Sequence, residues 1–254
     1  MNNPLPGVLV TRPTHQAQQL SEKIHELGGH PVSFPTIQIT PIEPDIQKYD
    51  FDQYSIIIFV SANAVNYGLQ YLRTYLNPDR VKIFAIGKRT AQCLNEAGYL
   101  DIILPGSGFN SEALLTLDHL QANRVHNQHI LIIRGQGGRD LLADCLTERG
   151  AIVGYLDVYQ RTIPDIDTAP LLQLWSTDKV NIVIVTSNEI LKNLYHMLEP
   201  DGLDYLLDTP LITPGQRCTK LAHELGFRNT ILQAHSAMDS DIITQLKLWM
   251  VTKP

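Results

Sequence analysis

The sequence predicts an α/β protein built from two similar open-sheet domains, and three observations lead to that fold class. Short continuous runs of valine and isoleucine alternate with segments whose apolar residues have helical spacing. The whole arrangement occurs twice along the 254 residues. Two further segments between the repeated units alternate polar and apolar residues, which is typical of half-exposed strands.

The first repeated unit is a strand, a helix and a second strand. Residues 8–12 and the stretch around Gly28 correspond to 131–135 and the stretch around Gly150. The helix between them has apolar residues at Leu20, Ile24 and Leu27. Two residue pairs mark the match at one common separation: Arg12 with Arg134, and Gly28 with Gly150.

Three further blocks repeat in the same order, with small changes of spacing that indicate loop insertions. Residues 56–63 match 182–188, residues 83–89 match 211–217, and residues 111–115 match 239–243. Within these blocks the matched residues are Ser61 with Ser187, Gly87 with Gly215, and Arg89 with Arg217. Strands that alternate with helices indicate βαβ crossovers and parallel sheets, with four or five strands in each domain.

The two alternating segments are residues 34–40 and 156–162, and they occupy equivalent places in the duplication, with Ile37 over Tyr159. Each is followed by a proline, Pro41 or Pro164. The pattern predicts two extended connectors that pair with each other. It leaves open whether each domain is contiguous or the halves exchange their first unit.

Composition narrows the function classes. A formal net charge of −6 argues against general nucleic-acid binding, and the longest apolar run, 56–60, is far shorter than the roughly 20 residues of a membrane helix. The three cysteines fit neither a zinc site nor a disulfide framework, and the N-terminus has no secretory pattern, so a cytoplasmic location is expected. A dinucleotide fingerprint at the Gly-Gln-Gly-Gly run fails because Asp140 stands where a small residue is needed, and no phosphate-loop motif occurs.

Ligands of open parallel sheets bind outside the carboxyl ends of the strands, which selects one set of loops. These loops are rich in hydroxyls, amides, glycine and cations, and helix N-termini beside them favour anions. The candidate binding residues are Thr11, Arg12, Ser61, Ala62, Asn63, Lys88, Thr90, Arg134, Gly135, Arg139, Thr186, Ser187, Asn188, Gly215 and Arg217. Each serine alone is more simply a helix cap, so the interpretation depends on the coincidence of all these residues at one end of both domains.

The ordered blocks Val-Leu-Val-Thr-Arg-Pro, Phe-Val-Ser-Ala-Asn, Ala-Ile-Gly-Lys-Arg-Thr, Leu-Ile-Ile-Arg-Gly-Gln-Gly-Gly-Arg, Val-Tyr-Gln-Arg and Val-Thr-Ser-Asn resemble the uroporphyrinogen-III synthase family across nearly the whole chain. The resemblance implies two Rossmann- or flavodoxin-like domains, 1–36 with 165–254 and 42–157. They would be joined by linker strands 37–41 and 158–164, with the substrate in the cleft between the domains.

The resemblance also implies the reaction: a cofactor-free lyase cyclises hydroxymethylbilane to uroporphyrinogen III, with loss of water and inversion of ring D. Tyr159 matches the family's most discussed catalytic tyrosine and is expected to protonate the leaving hydroxyl. The serines and threonines would hold the substrate's carboxylates, and Arg12, Arg134 and Arg139 would add charge. Many relatives carry threonine near Arg217, so this chain departs from the family there.

No metal, nucleic acid or membrane is expected as a partner. The chain is expected to be a monomer with hydroxymethylbilane synthase as a transient partner. Three alternatives remain beside the synthase: a two-domain anion-binding protein, a nucleotide-dependent enzyme and a regulatory module of tetrapyrrole pathways. The first of these would leave hydroxymethylbilane to cyclise unassisted.

Overall fold

The structure, a computed structural model, describes residues 5–77 and 79–252. The chain divides into two compact units. Unit 1 contains residues 1–38 and 162–254, and unit 2 contains residues 39–161.

Unit 1 is an open sheet of five parallel strands with helices on its faces. Its strands are β1 (Gly7–Val10), β2 (His30–Ser33), β9 (Ile182–Ile184), β10 (Leu211–Thr213) and β11 (Ile231–Gln233), in the order β11-β10-β9-β1-β2. Its helices are α1 (Thr14–Glu26), α7 (Ala169–Ser176), α8 (Asn188–Met197), α9 (Leu203–Asp208), α10 (Gln216–Glu224) and α11 (Asp239–Thr252). The central strands are apolar and fully buried, as expected for a sheet covered on both faces.

Unit 2 contains a six-stranded sheet. Its strands are β3 (Gln38–Pro41), β4 (Ile56–Phe59), β5 (Lys82–Ala85), β6 (Ile102–Ile103), β7 (His129–Gly135) and β8 (Ile152–Thr162), in the order β3-β8-β7-β4-β5-β6. Its α-helices are α2 (Ala62–Leu72), α3 (Lys88–Glu96), α4 (Ser111–Leu114), α5 (Ala122–Val125) and α6 (Leu141–Glu148), and short 3₁₀ turns span Ile46–Lys48, Phe51–Gln53 and Asp118–Leu120. The strands from β8 to β6 run parallel.

The strand orders bear out the internal duplication. If β7, β8, β4, β5 and β6 are matched to β1, β2, β9, β10 and β11, both sheets have the same order. The first βαβ segment of the chain therefore pairs with β9, from the C-terminal half, while the later segment β7–α6–β8 pairs with β4. This topology answers the question that the sequence left open: the halves exchange their first unit. The predicted open parallel sheets are confirmed.

The connector strands are the edge of the second sheet rather than a separate ribbon. β3 is the neighbour of β8, and the backbone N–H of Ile42 donates to the carbonyl of Val158 at 3.0 Å. β8 is eleven residues long and continues from the sheet interior into the connector. The chain passes from unit 1 to unit 2 between Gln38 and Ile39, within β3, and returns between Arg161 and Thr162, within β8.

The unit 2 sheet has two apolar layers that share its strands. Ile57, Phe59 and Ile133 face the layer formed by α2 and α3, while Ile58 and Ile132 face α4, α5 and α6. This alternation is the period of a strand, and it determines which side chains of β7 and β8 can meet near the ends of the sheet.

Candidate active site

The first loop of the candidate site follows β4 in unit 2. Ser61 has an extended backbone and its hydroxyl oxygen accepts a hydrogen bond from the backbone N–H of Ala64 at 2.9 Å, so it is the N-cap of α2. Ala62 and Asn63 form the first turn, and all three residues are half-buried. The prediction that Ser61 is a helix cap is thus confirmed, and this serine makes a further contact besides the cap.

A β-bulge in β8 brings Tyr159 to the same place. Arg134 pairs with Asp157, but the next residue, Gly135, pairs with Tyr159, so Val158 is the extra residue. Without the bulge, Tyr159 would lie on the same face as Asp157. The bulge turns it to the opposite face, where both Val158 and Tyr159 belong to the apolar layer beside α2.

The ring of Tyr159 is closely enclosed. Its hydroxyl oxygen lies 3.1 Å from the hydroxyl oxygen of Ser61, and the ring of Tyr67 is 6.2 Å away between centroids. The ring occupies the space that a side chain at Gly135 would need, since a Cβ there would be 2.5 Å from Cε2 and Cζ. The backbone carbonyl of Tyr159 accepts from the N–H of Gln136 at 2.8 Å, and the residue is 3% exposed. The phenol therefore has one position, at the N-terminus of α2.

Arg134 lies on the other face and is already paired with two acids. Its Nε donates to Asp157 at 3.0 Å and its Nη1 to Asp140 at 2.8 Å, while its guanidinium stacks 3.5 Å from the centroid of the Tyr155 ring. The Tyr155 hydroxyl donates to Asp140 at 3.1 Å. Hydrogen bonds from Arg134 and then Tyr155 lower the pKa of Asp140, and burial followed by the bond to Asp140 raises the pKa of Tyr155 to about 12. The cluster holds the loop after β7.

The loop after β5 starts α3 without a side-chain cap. Gly87 occupies the N-cap position, and Lys88 is exposed, with its ammonium 5.2 Å from the centroid of the Phe109 ring. Thr90 is buried in the first turn. Among the described residues no side chain accepts from the first N–H groups of α3, so this helix start and Lys88 carry positive potential, which favours anions.

Arg139 is exposed beyond Arg134. It forms an ion pair with Glu112 at 3.2 Å. Both side chains of this pair are open to solvent, so the pair adds little to stability, and Glu112 offsets part of the positive charge of Arg139.

In unit 1 the loop after β1 is also internally bonded. The buried hydroxyl of Thr11 donates to the carbonyl of Ile184 at 2.6 Å. Arg12 forms an ion pair with Asp239 and donates to the carbonyl of Ala237. Both residues thus join β1 to neighbouring elements of the same unit, and any contact with a ligand would have to share these partners.

The loop after β9 repeats the Ser61 arrangement. The Ser187 hydroxyl accepts from the N–H of Ile190 at 3.1 Å and caps α8. Thr186 and Asn188 flank it, and all three predicted residues are half-buried.

The loop after β10 repeats the Gly87 arrangement. Gly215, with φ +116° and ψ 174°, has a conformation that only glycine adopts readily, and it starts α10 without a side-chain cap. Arg217 is exposed in the first turn and makes no ion pair with the described residues. Each unit therefore has one serine-capped and one glycine-started helix at the carboxyl edge of its sheet.

The acids that pair with the predicted arginines were not among the residues predicted from the sequence. Asp157 reaches Arg134 because β7 and β8 are neighbours, and Asp140 reaches it from six residues along the loop after β7. Asp239 meets Arg12 from 227 residues further along the chain. Asp239 was matched to Ser111 in the duplication, and its place at the start of α11 was the available signal. The bulge had no signal in the alternating pattern.

Within residues 5–77 and 79–252, no helix combines the length and apolar composition that crossing a bilayer demands. The same stretches contain no group of three or more His, Cys, Asp or Glu residues placed to hold a metal ion.

The fold and these loops define the class: a duplicated open-sheet α/β protein with one serine-capped and one glycine-started helix at the carboxyl edge of each sheet. The family model described as uroporphyrinogen-III synthase HemD matches residues 18–242. Uroporphyrinogen-III synthase of Escherichia coli (strain K12) is 32% identical over 230 residues, which cover 88% of this chain and 93% of that protein. Uroporphyrinogen-III synthase of Salmonella typhimurium (strain LT2) is 34% identical over 232 residues, with the same coverage of 88% and 93%. The chain therefore belongs to the uroporphyrinogen-III synthase family.

A solved structure shows the same fold. The crystal structure of uroporphyrinogen-III synthetase from Helicobacter pylori 26695 superposes with a TM-score of 0.60 at 16% identity, covering 97% of this chain and 99% of that one.

Proposed function

We infer that this chain is a uroporphyrinogen-III synthase, a hydro-lyase that cyclises hydroxymethylbilane with loss of water and inversion of ring D. Family membership over nearly the whole chain supports this activity. The observation that carries the chemistry is the Tyr159 hydroxyl, held 3.1 Å from Ser61 at the carboxyl edge of the unit 2 sheet.

The first step needs an acid at the departing hydroxyl. Tyr159 gives its proton to that oxygen, the carbon–oxygen bond breaks, and water leaves with the bonding electrons. The resulting azafulvenium cation is electrophilic, and the substituted carbon of ring D attacks it to form a spiro intermediate. Fragmentation and reclosure then invert ring D, and a proton lost from carbon restores the phenol. The sequence involves no net redox change, so its balance calls for no cofactor.

The remaining task is to hold a flexible chain of four pyrroles in the conformation that leads to the inverted product. The substrate's acetate and propionate groups are anions, and the glycine-started helices α3 and α10 offer N–H donors that no side chain in the described part of the chain occupies. Lys88 and Arg217 stand in the first turns of these helices and add positive charge. We assign carboxylate binding to these two helix starts first.

The serine-capped helices offer less to a carboxylate. Ser61 and Ser187 each use an oxygen lone pair for their own helix, although their remaining N–H groups stay available. Arg12, Arg134 and Arg139 enter only as cations whose charge is shared with acids. In this proposal the enzyme works as a monomer in the cytoplasm and receives hydroxymethylbilane from its synthase through a transient contact.

Removal of a single phenolic hydroxyl tests the role of Tyr159. Tyr159→Phe keeps the ring that packs on Gly135 and removes only the proton donor. We expect the rate of type III formation to fall by about 10²-fold, the lower range for one acid catalyst, while the melting temperature changes little.

The matched control is Tyr67→Phe, which removes the hydroxyl of the neighbouring ring and leaves the rate within about twofold. If Tyr159→Phe retains the full rate, this tyrosine is a packing residue and the proton comes from elsewhere. If the unmodified protein yields only the type I isomer, the chain binds the substrate without catalysing the reaction.

A further inference from the structure

The hydroxyl of Ser61 has two hydrogen-bond partners. The number of protons and lone pairs on this hydroxyl determines whether it donates to or accepts from each partner. One lone pair accepts the Ala64 N–H at 2.9 Å, as the cap of α2. The second contact is the Tyr159 hydroxyl oxygen at 3.1 Å. A serine hydroxyl has a single proton, so it can donate to Tyr159 while it caps the helix.

The duplicated serine shows that capping does not require this second contact. Ser187 has nearly the same backbone angles as Ser61, φ −162° and ψ 163° against φ −166° and ψ 163°, and it caps α8 in the same way. The residue that corresponds to Tyr159 in the duplication is Ile37, which has no polar group to offer. The Ser61–Tyr159 bond is therefore an addition to a common cap.

The position of the tyrosine is set independently of the serine. The bulge at Val158 turns Tyr159 toward α2, and the ring lies where Gly135 leaves room. The backbone bond from Gln136 fixes the main chain at the same point. These constraints place the phenol oxygen next to Ser61. The contact therefore forms without a change of rotamer in either residue.

We propose that Ser61 is the positioning residue of Tyr159: it donates its proton to the phenol oxygen and leaves the phenol's own proton directed at the departing hydroxyl of the substrate. The inference rests on the proposed function. When the Tyr159 O–H bond breaks and the proton passes to the leaving oxygen, the phenolate accepts the Ser61 hydrogen bond, which strengthens as charge develops. The N-terminus of α2 adds its dipole through the same serine.

Two substitutions separate this role from capping. Ser61→Gly removes the hydroxyl and remains a fair N-cap, so most of the helix stability is kept. Ser61→Thr retains both the cap and the donor. We expect kcat of Ser61→Gly to fall about 10- to 100-fold, the effect of one hydrogen bond to a charged group, with KM within about twofold. Ser61→Thr should restore kcat to within about threefold of the original enzyme.

The background of Tyr159→Phe provides the decisive comparison. In that background Ser61 has no phenol oxygen to which it can donate, so Ser61→Gly should cause no further loss of activity. The losses caused by the two substitutions should therefore be strongly non-additive. Ser187→Gly is the matched cap variant, and its effect on the rate should be the same whether residue 159 is tyrosine or phenylalanine.

The proposal is overturned if Ser61→Gly raises KM at constant kcat, which is the signature of a carboxylate contact. It is also overturned if Ser61→Gly costs as much in the Tyr159→Phe background as in the original enzyme. Failure of the proposed function has a separate signature, because then the unmodified enzyme itself forms no type III product.

Discussion

Replacing Gly135 with alanine would put a methyl group where the ring of Tyr159 lies. The new Cβ would be 2.5 Å from Cε2 and Cζ and 3.0 Å from Cδ2, whereas ordinary contact starts at 3.4 Å. The backbone at Gly135 can accommodate alanine, because its φ is not in the left-handed region that favours glycine. The ring of Tyr159 therefore has to retreat by about 1 Å.

The size of the effect follows from that displacement. Overpacking of this kind costs about 1–3 kcal/mol, which corresponds to a fall in melting temperature of about 2–12 °C for a chain of this size. The Ser61–Tyr159 bond starts at 3.1 Å, and a shift of about 1 Å would carry it beyond hydrogen-bonding distance. A misplacement of that size in a catalytic group can lower kcat by about 10²-fold.

The assay combines thermal unfolding with the rate of type III formation, and the same loop supplies the control. Gly138→Ala places a Cβ 3.5 Å from its nearest atom, the carbonyl oxygen of Gly135, which is ordinary contact. We expect its stability within about 0.5 kcal/mol of the original enzyme and its activity unchanged. Adding Gly135→Ala to Tyr159→Phe should still lower stability, because the ring remains, but should add little to the loss of rate.

Two results would refute the reasoning. Unchanged stability in Gly135→Ala would show that the Tyr159 ring does not occupy this space. Lower stability with an unchanged kcat would show that the placement of Tyr159 does not limit the reaction.

Three further predictions concern groups around the site. Arg134→Met should lower the free energy of unfolding by about 1–2 kcal/mol, because Asp157 loses its partner, and should change KM little; a large rise in KM would instead make Arg134 a substrate contact. Stability should fall as pH rises from about 10 to 12, because the folded state keeps Tyr155 protonated up to its raised pKa of about 12, and Tyr155→Phe should reduce this fall in an alkaline unfolding series. The Cys218 thiol, whose pKa burial raises to about 11, should resist alkylation at neutral pH in the native protein, while the half-buried Cys145 is modified first; peptide mapping would show a contradiction as early labelling of Cys218.

Much of the fold could be predicted because the pattern of strands and helices is duplicated within the sequence. Continuous runs of valine and isoleucine predicted the buried strands. The matched blocks aligned Ser61 with Ser187 and Gly87 with Gly215. Both pairs prove to be N-cap positions in the structure. Periodicity and capping are local properties, so a single sequence reveals them.

The arrangement of the site depended on contacts that have no local signature. Alternation along β8 would place Tyr159 on the face of Asp157, and only the bulge opposite Gly135 reverses it. The partner of Arg12 is Asp239, more than two hundred residues away in the chain. A pairing of this kind is a consequence of tertiary structure. The arginines could therefore be predicted from the sequence, whereas the acids that share their charge could not.

The most direct test of the proposed activity is the isomer composition of the product formed by a small amount of enzyme. Hydroxymethylbilane is generated in situ in large excess over the protein, the products are oxidised, and types I and III are separated. We expect type III as the dominant product over many turnovers, and we expect Tyr159→Phe to form it much more slowly. Type I alone, or type III limited to one equivalent of protein, would contradict the assignment of this chain as a catalyst of ring inversion.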